Sequence, residues 1–134
     1  MFIVQVVAKI TKRILSIEDD PSFSRYLSYM LTKEGYEVLT ATNGLTGLRK
    51  AQEEDVDLIL LDVMLPGLDG FEVCHRLRAE PKFINLPILM LSAKGQDSDR
   101  VTGLRVGANE FLNKPIDREV LLAKIKEYLP DDTK

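Results

Sequence analysis

Cysteine and histidine each occur once in the 134 residues, as Cys74 and His75. One cysteine forbids an internal disulfide and is compatible with a reducing compartment. One histidine leaves no room for a histidine-rich metal site. No apolar run approaches the roughly 20 residues that a membrane helix needs, so the expected setting is cytoplasmic, away from the membrane. An excess of basic residues is also missing. Lys and Arg number 18 against 21 Asp and Glu, for a formal charge of -3, which argues against general nucleic-acid binding by this chain. The Gly-x-Gly-x-x-Gly signature of a Rossmann enzyme is absent, and no internal repeat or low-complexity stretch interrupts the pattern. Residues 1–12 (MFIVQVVAKITK) show neither the clear basic start nor the cleavage site of a secretory signal. They read as an N-terminal extension that packs on the domain and leaves from the face opposite any site, with a partner-binding segment as the alternative.

What is present is an ordinary apolar share of 45%, enough for one core in one domain. Strand-length apolar runs alternate with longer helical patterns. The expected strands are residues 13–17 (RILSI), 36–40 (YEVLT), 57–62 (DLILLD), 87–92 (PILMLS) and 109–113 (NEFLN), the last being the weakest. The third and fourth are almost continuously hydrophobic, as strands are when helices cover both faces. Asp20-Pro21 reads as an N-cap followed by proline at the first helical position, with Phe23, Tyr26, Leu27, Met30 and Leu31 as the apolar stripe and Gly35 as the stop. Further helices are expected over 45–53, 70–79, 98–106 and 117–129, the last burying Val120, Leu121, Ile125, Tyr128 and Leu129. Residues 130–134 are a tail too short to form a second domain. The fold class is therefore α/β, a (βα)5 doubly wound five-stranded parallel sheet with helices on both faces.

In such sheets ligands bind beyond the carboxyl ends of the strands. There stand Glu18, Asp19 and Asp20 after the first strand, Asp62 at the end of the third, Ser92 after the fourth, and Lys114-Pro115 after the fifth. Two like charges at about 4 Å cost about 4 kcal/mol at an effective dielectric of about 20, so a cluster of this kind must shift its pKa values or hold a cation. Oxygen donors without His or Cys favour Mg²⁺ or Mn²⁺, and Lys114 opposite the metal would suit a phosphoryl group. Each residue also has a plain structural role to set against this. Asp20 caps a helix, Ser92 caps a strand end, Lys114 sits at the surface, Cys74 fills the core, His75 lies on an exposed helix face, and Asp69 caps the third helix.

The stretches ILSIEDDP, LILLDVMLPGLDGFEV, PILMLSAK and NEFLNKP, taken in their order and spacing, resemble the receiver domain of two-component response regulators over residues 13–129. The resemblance implies a flavodoxin-like strand order of 2-1-3-4-5. It implies Asp62 as phosphoacceptor. It implies a metal site of Asp19, Asp62 and the Met64 backbone carbonyl, with Glu18 reached through water. Ser92 and Lys114 would contact the phosphoryl group, and Phe111 would be the aromatic switch that turns inward as Ser92 moves. A cis bond before Pro115 is common in the family. The implied partners are a sensor histidine kinase or phosphotransfer protein and an output partner or domain. The face of residues 97–106, 109–113 and 117–129 is the implied readout or homodimer surface, mixing Arg100, Arg105, Arg118 and Lys124 with Asp97, Asp99, Glu110 and Asp117. Asn109-Glu110 and Ile116 depart from the family's commonest residues without touching the chemistry. A dehalogenase-type phosphatase would want a second aspartate where Met64 stands, and an electron carrier binding a flavin phosphate would not place EDDPSFS after its first strand. A receiver-like scaffold that is never phosphorylated is the remaining alternative.

Overall fold

The computed structural model describes residues 11–93 and 97–130. Five parallel strands, β1 (Arg13–Ile17), β2 (Glu37–Ala41), β3 (Leu58–Asp62), β4 (Ile88–Ser92) and β5 (Glu110–Asn113), form one sheet in the order β2-β1-β3-β4-β5. The helices are α1 (Pro21–Lys33), α2 (Gly44–Glu53), α3 (Gly70–Arg78), α4 (Asp97–Arg105) and α5 (Arg118–Tyr128), with a short 3-10 turn at Pro81–Phe83 that the sequence pattern does not announce. The expected alternation is present, with boundaries shifted by a residue or two, as frayed ends allow. Residues 1–10 of the expected extension over 1–12 lie outside the described residues. The chain enters β1 at the amino edge of the sheet, where the Lys12 carbonyl accepts the Glu37 N–H at 2.9 Å.

Strand periodicity sorts the core into two layers. Ile14, Leu58, Leu60, Leu89 and Leu91 meet Leu27, Met30 and Leu31 of α1 and Leu121, Leu122 and Ile125 of α5. Leu15, Ile17, Ile59, Leu61, Ile88, Met90 and Phe111 face the opposite way, against Leu48 and Ala51 of α2 and Val73, Cys74 and Leu77 of α3. β3 and β4 are buried along their whole length because both faces are covered. Cys74 is fully buried core, its Sγ directed at the Val106 carbonyl, and His75 is exposed.

The apolar stripe of α5 differs from the sequence expectation. Val120 is turned outward, 47% exposed, and Leu122 is buried instead. Core contact runs through Leu121, Ile125 and Leu129, at fourfold spacing. Val120 shares its side with charged Lys124 and Glu127, about one and two turns along. Tyr26 is likewise largely outward on α1.

Arg78 closes the corner between α3 and the α4–β5 turn. Its guanidinium donates to the carbonyls of Gly107 (2.9 Å) and Phe83 (2.6 Å) and to Asn109 Oδ1 (2.9 Å). Asn109 Oδ1 also accepts the Ile88 N–H at 2.8 Å, so one side chain joins two β-strand ends to a helix.

The turn after β3 depends on Gly70. A Cβ there would overlap the Asp62 carbonyl oxygen and lie 2.9 Å from the Val63 Cα, both of them backbone atoms that cannot rotate away. Gly70→Ala is therefore expected to lose about 1–3 kcal/mol by denaturant titration, despite alanine's better helix propensity. A variant as stable as wild type would show that the 63–69 loop has room that this packing denies it.

Candidate phosphoryl-acceptor and metal site

The carboxyl ends of β1 and β3 bring three carboxylates together. Oxygens of Glu18, Asp19 and Asp62 lie within 4.8 Å of one another. Register accounts for this: Ile17 pairs with Leu61 across β1 and β3, so the residues that follow them emerge side by side. Glu18 and Asp62 are buried, at 2% and 4% exposure, whereas Asp19 is exposed.

Lys114 arrives from beyond β5. Its Nζ lies 2.9 Å from Glu18 Oε1 and 3.3 Å from Asp62 Oδ1. Its backbone N–H donates to the Ser92 carbonyl at 2.6 Å, which ties the end of β5 to the end of β4, and the Lys114–Pro115 bond is cis. The other oxygen of Glu18 accepts the Asp20 N–H at 3.0 Å. Asp20 in turn caps α1 by accepting the Ser22 N–H at 3.2 Å, as its position before Pro21 predicts. Asp69 caps α3 through the Glu72 N–H at 2.9 Å.

Ser92 is buried at the end of β4, one strand from Asp62, which pairs with Leu91. Met64 lies in the loop just past Asp62 with its side chain outward, 70% exposed. Phe111 stands apart from the carboxylates, on the sheet face that meets α4. Its ring is buried, 2% exposed, against Gly103, where a Cβ would come to 2.7 Å from the ring, and the Arg100 guanidinium lies 5.5 Å from its centroid. The aromatic residue is thus already inward in this structure. Of the charges expected on the readout face, Lys124 pairs with Glu110 of its own chain at 3.4 Å, Arg118 reaches Glu34 at 3.5 Å, and Asp117 caps α5.

Two features at the site escape sequence reading. One is the direct Lys114–Glu18 bridge between residues 96 positions apart. The other is Phe23, which the periodicity assigns to the apolar stripe and which the structure places under the Lys114 ammonium, 4.5 Å from ring centroid to Nζ. Phe23 lies in the first turn of α1, directly after the acidic stretch 18–20, a position that could have marked it.

The carboxylates fit a hard divalent cation: all three offer oxygen, and neither His nor Cys joins them. Without a cation the cluster is strained. The Asp62 carboxyl is pushed up to about 6, chiefly by burial and then by the Glu18 charge, with Lys114 opposing. A raised folded pKa means that ionising Asp62 costs folding stability. The cost is absent below the unfolded value near 4, where the group is protonated in both states, and is complete above about 6. In metal-free buffer near neutral pH, Asp62→Asn is expected to be more stable than wild type by something on the order of 1 kcal/mol, allowing for screening. The gain should fade as pH falls from about 6 toward 4. A variant that unfolds more easily than wild type at neutral pH would mean that Asp62 is a structural, hydrogen-bonded carboxylate.

Comparison with known proteins agrees with this geometry. The family model described as the response regulator receiver domain matches residues 14–126. The alkaline phosphatase synthesis transcriptional regulatory protein PhoP of Bacillus subtilis (strain 168) is 45% identical over 118 residues, covering 88% of this chain and 48% of that protein. The chain thus spans about half the length of that curated relative. A response regulator structure from Chloroflexus aurantiacus J-10-fl superposes with a TM-score of 0.86 at 36% identity, covering 90% of this chain and 98% of that one. The receiver domain of a sensor histidine kinase from Pseudomonas aeruginosa PAO1, with a magnesium ion coordinated in its active site cleft, superposes with a TM-score of 0.83 at 32% identity, covering 90% and 98%. Strand order and sequence likeness converge: the chain belongs to the response regulator receiver domain family.

Proposed function

We propose that this chain is a phosphorylation-driven signalling switch whose Asp62 accepts a phosphoryl group from a phosphohistidine on a sensor histidine kinase or phosphotransfer protein. The observation that carries the reading is the shared ammonium: Lys114 Nζ stands between two buried carboxylates, Glu18 and Asp62, at the edge where the strands end. In the transfer, an Asp62 oxygen attacks phosphorus. The new P–O bond forms as the donor's P–N bond breaks, and that electron pair leaves on the imidazole nitrogen. Such a transfer needs chiefly positioning and neutralisation of charge. Lys114 and the Ser92 hydroxyl would donate hydrogen bonds to the phosphoryl oxygens.

Asp19, Asp62 and the Met64 carbonyl would hold the cation, Mg²⁺ or Mn²⁺, with Glu18 outside them. The engagement of both Glu18 oxygens, by Lys114 and by the Asp20 N–H, supports this order, because it leaves Asp19 and Asp62 as the carboxylates with room for direct ligation. When bound, the ion supplies positive charge against the carboxylates and the phosphoryl oxygens. The chain is no enzyme toward other substrates in this reading. It would catalyse only its own phosphorylation and slow dephosphorylation, in the cytoplasm.

The added charge of about -1.5 to -2 would draw Ser92 toward the phosphoryl group and hold Phe111 inward more firmly, shifting the population of the α4–β5–α5 surface. That surface would engage an output partner or domain, or a second copy of the chain. Exposed Val101 and Leu104 of α4 and Val120 of α5 give it apolar contact area. Nucleic-acid contact is not assigned to this domain. No described helix is long and apolar enough to cross a membrane.

Incubation with a small acyl phosphate and Mg²⁺ should add the mass of one phosphoryl group to the wild type. Chelation of the metal should prevent it, and Asp62→Asn should carry none. Stoichiometric labelling of the variant would place the acceptor elsewhere. A wild type that takes no phosphoryl group from any donor would favour the scaffold.

Calorimetric titration should also detect one divalent-ion site, weakened in Asp62→Asn because a ligand charge is lost. Absence of binding even at millimolar metal would remove the cation from this reading.

A further inference from the structure

Phe23 belongs to the apolar stripe of α1 by spacing, yet its ring does more than fill space. The Lys114 ammonium lies 4.5 Å from the ring centroid, while the same nitrogen is 2.9 Å from Glu18 Oε1 and 3.3 Å from Asp62 Oδ1. Phe23 is half-buried, and the Lys114 side chain is only 19% exposed, so little water competes for that ammonium. The ring is also placed by the site itself. Glu18 Oε2 accepts the Asp20 N–H, Asp20 caps α1, and the Ser24 N–H donates to the Asp20 carbonyl at 2.9 Å, so the turn that carries Phe23 is tied to the carboxylate that binds the lysine. Phe23 in turn stacks on Tyr26, with centroids 6.1 Å apart.

A carboxylate holds an ammonium by accepting its N–H bonds. An aromatic face attracts the cation through its quadrupole and claims no donor in the same way. This difference matters if Lys114 must turn its N–H groups from Glu18 and Asp62 toward an arriving phosphoryl group. We propose that Phe23 is a positioning residue for phosphoryl transfer, its ring face keeping the Lys114 ammonium beside Asp62 while leaving N–H donors for the phosphoryl oxygens. The proposal rests on the reading of Asp62 as phosphoacceptor.

The test measures the rate of phosphorylation by a small acyl phosphate with Mg²⁺ in wild type, Phe23→Leu and Phe23→Tyr, and repeats the leucine change in a Lys114→Met background. Phe23→Leu is expected to slow the reaction roughly three- to tenfold. Phe23→Tyr keeps an aromatic face and should recover most of the rate. With Lys114 replaced, the leucine change should cost nothing further. Denaturation midpoints and Mg²⁺ affinity of Phe23→Leu serve as folding controls. Proton NMR gives a second measurement independent of turnover: the Lys114 ε-methylene should be shifted upfield by the ring and lose that shift in Phe23→Leu. A leucine variant with the wild-type rate, a tyrosine variant no better than leucine, an equal slowing without Lys114, or an unshifted ε-methylene would each overturn the proposal. A wild type that is never phosphorylated on Asp62 overturns the underlying reading and this proposal with it, whereas a phosphorylated wild type with an unaffected leucine variant overturns the proposal alone.

Discussion

Three carboxylates gathered within 4.8 Å around one lysine are the constraint on which the rest of the site depends. Like charges at such separations repel by several kcal/mol at an effective dielectric near 20, and burial of Glu18 and Asp62 removes the water that would screen them. Lys114 relieves part of this by bridging the two buried members. Asp62 resists ionisation chiefly because it is buried and then because of the Glu18 charge; one ammonium against three carboxylates also leaves the cluster net negative when all are ionised, which suits a further cation. The same imbalance suits a group whose chemistry requires positive charge to be gathered around it.

The fold supplies the edge on which that cluster sits. Every crossover is strand to helix, so the loops leaving the carboxyl ends of the strands also begin the helices. Asp20, Asn43, Asp69 and Asp117 cap α1, α2, α3 and α5 with their side-chain oxygens. Polar residues at this edge therefore divide between two tasks. Some satisfy free N–H groups of the helix starts, and others converge on the site. Glu18 does both, because its second oxygen accepts the N–H of the residue that caps α1. The start of α1, the buried acid and the bridging lysine are one hydrogen-bonded unit.

β5 connects this unit to the far side of the sheet. Phe111 points into the layer that meets α4, and Lys114, just past the same strand, reaches the carboxylates. α4 touches that layer through a glycine, Gly103, laid against the Phe111 ring, while Val101 and Leu104 face outward. The Arg78 cluster fixes the other end of the same segment, where the α4–β5 turn meets α3.

Much of this was legible in residue order. Periodicity in β3 and β4, the Asp20-Pro21 start and the recurrence of chemistry after each strand identify an open parallel sheet and the edge to inspect, because local caps and strand periods are properties of short segments. Asp62, Lys114 and Ser92 stand out for the same reason: each closes an apolar run where a polar group needs a purpose. Tertiary structure alone decided which side chains meet. Lys114 bridging Glu18 across 96 positions, Phe23 turning its ring to that ammonium, Arg78 joining α3 to the α4–β5 turn, and Leu122 rather than Val120 entering the core all depend on the relative placement of whole helices and strands. That placement is set by packing two layers against one twisted sheet. No single segment carries the information, since turning a helix by one residue, about 100°, already changes which side chains it buries.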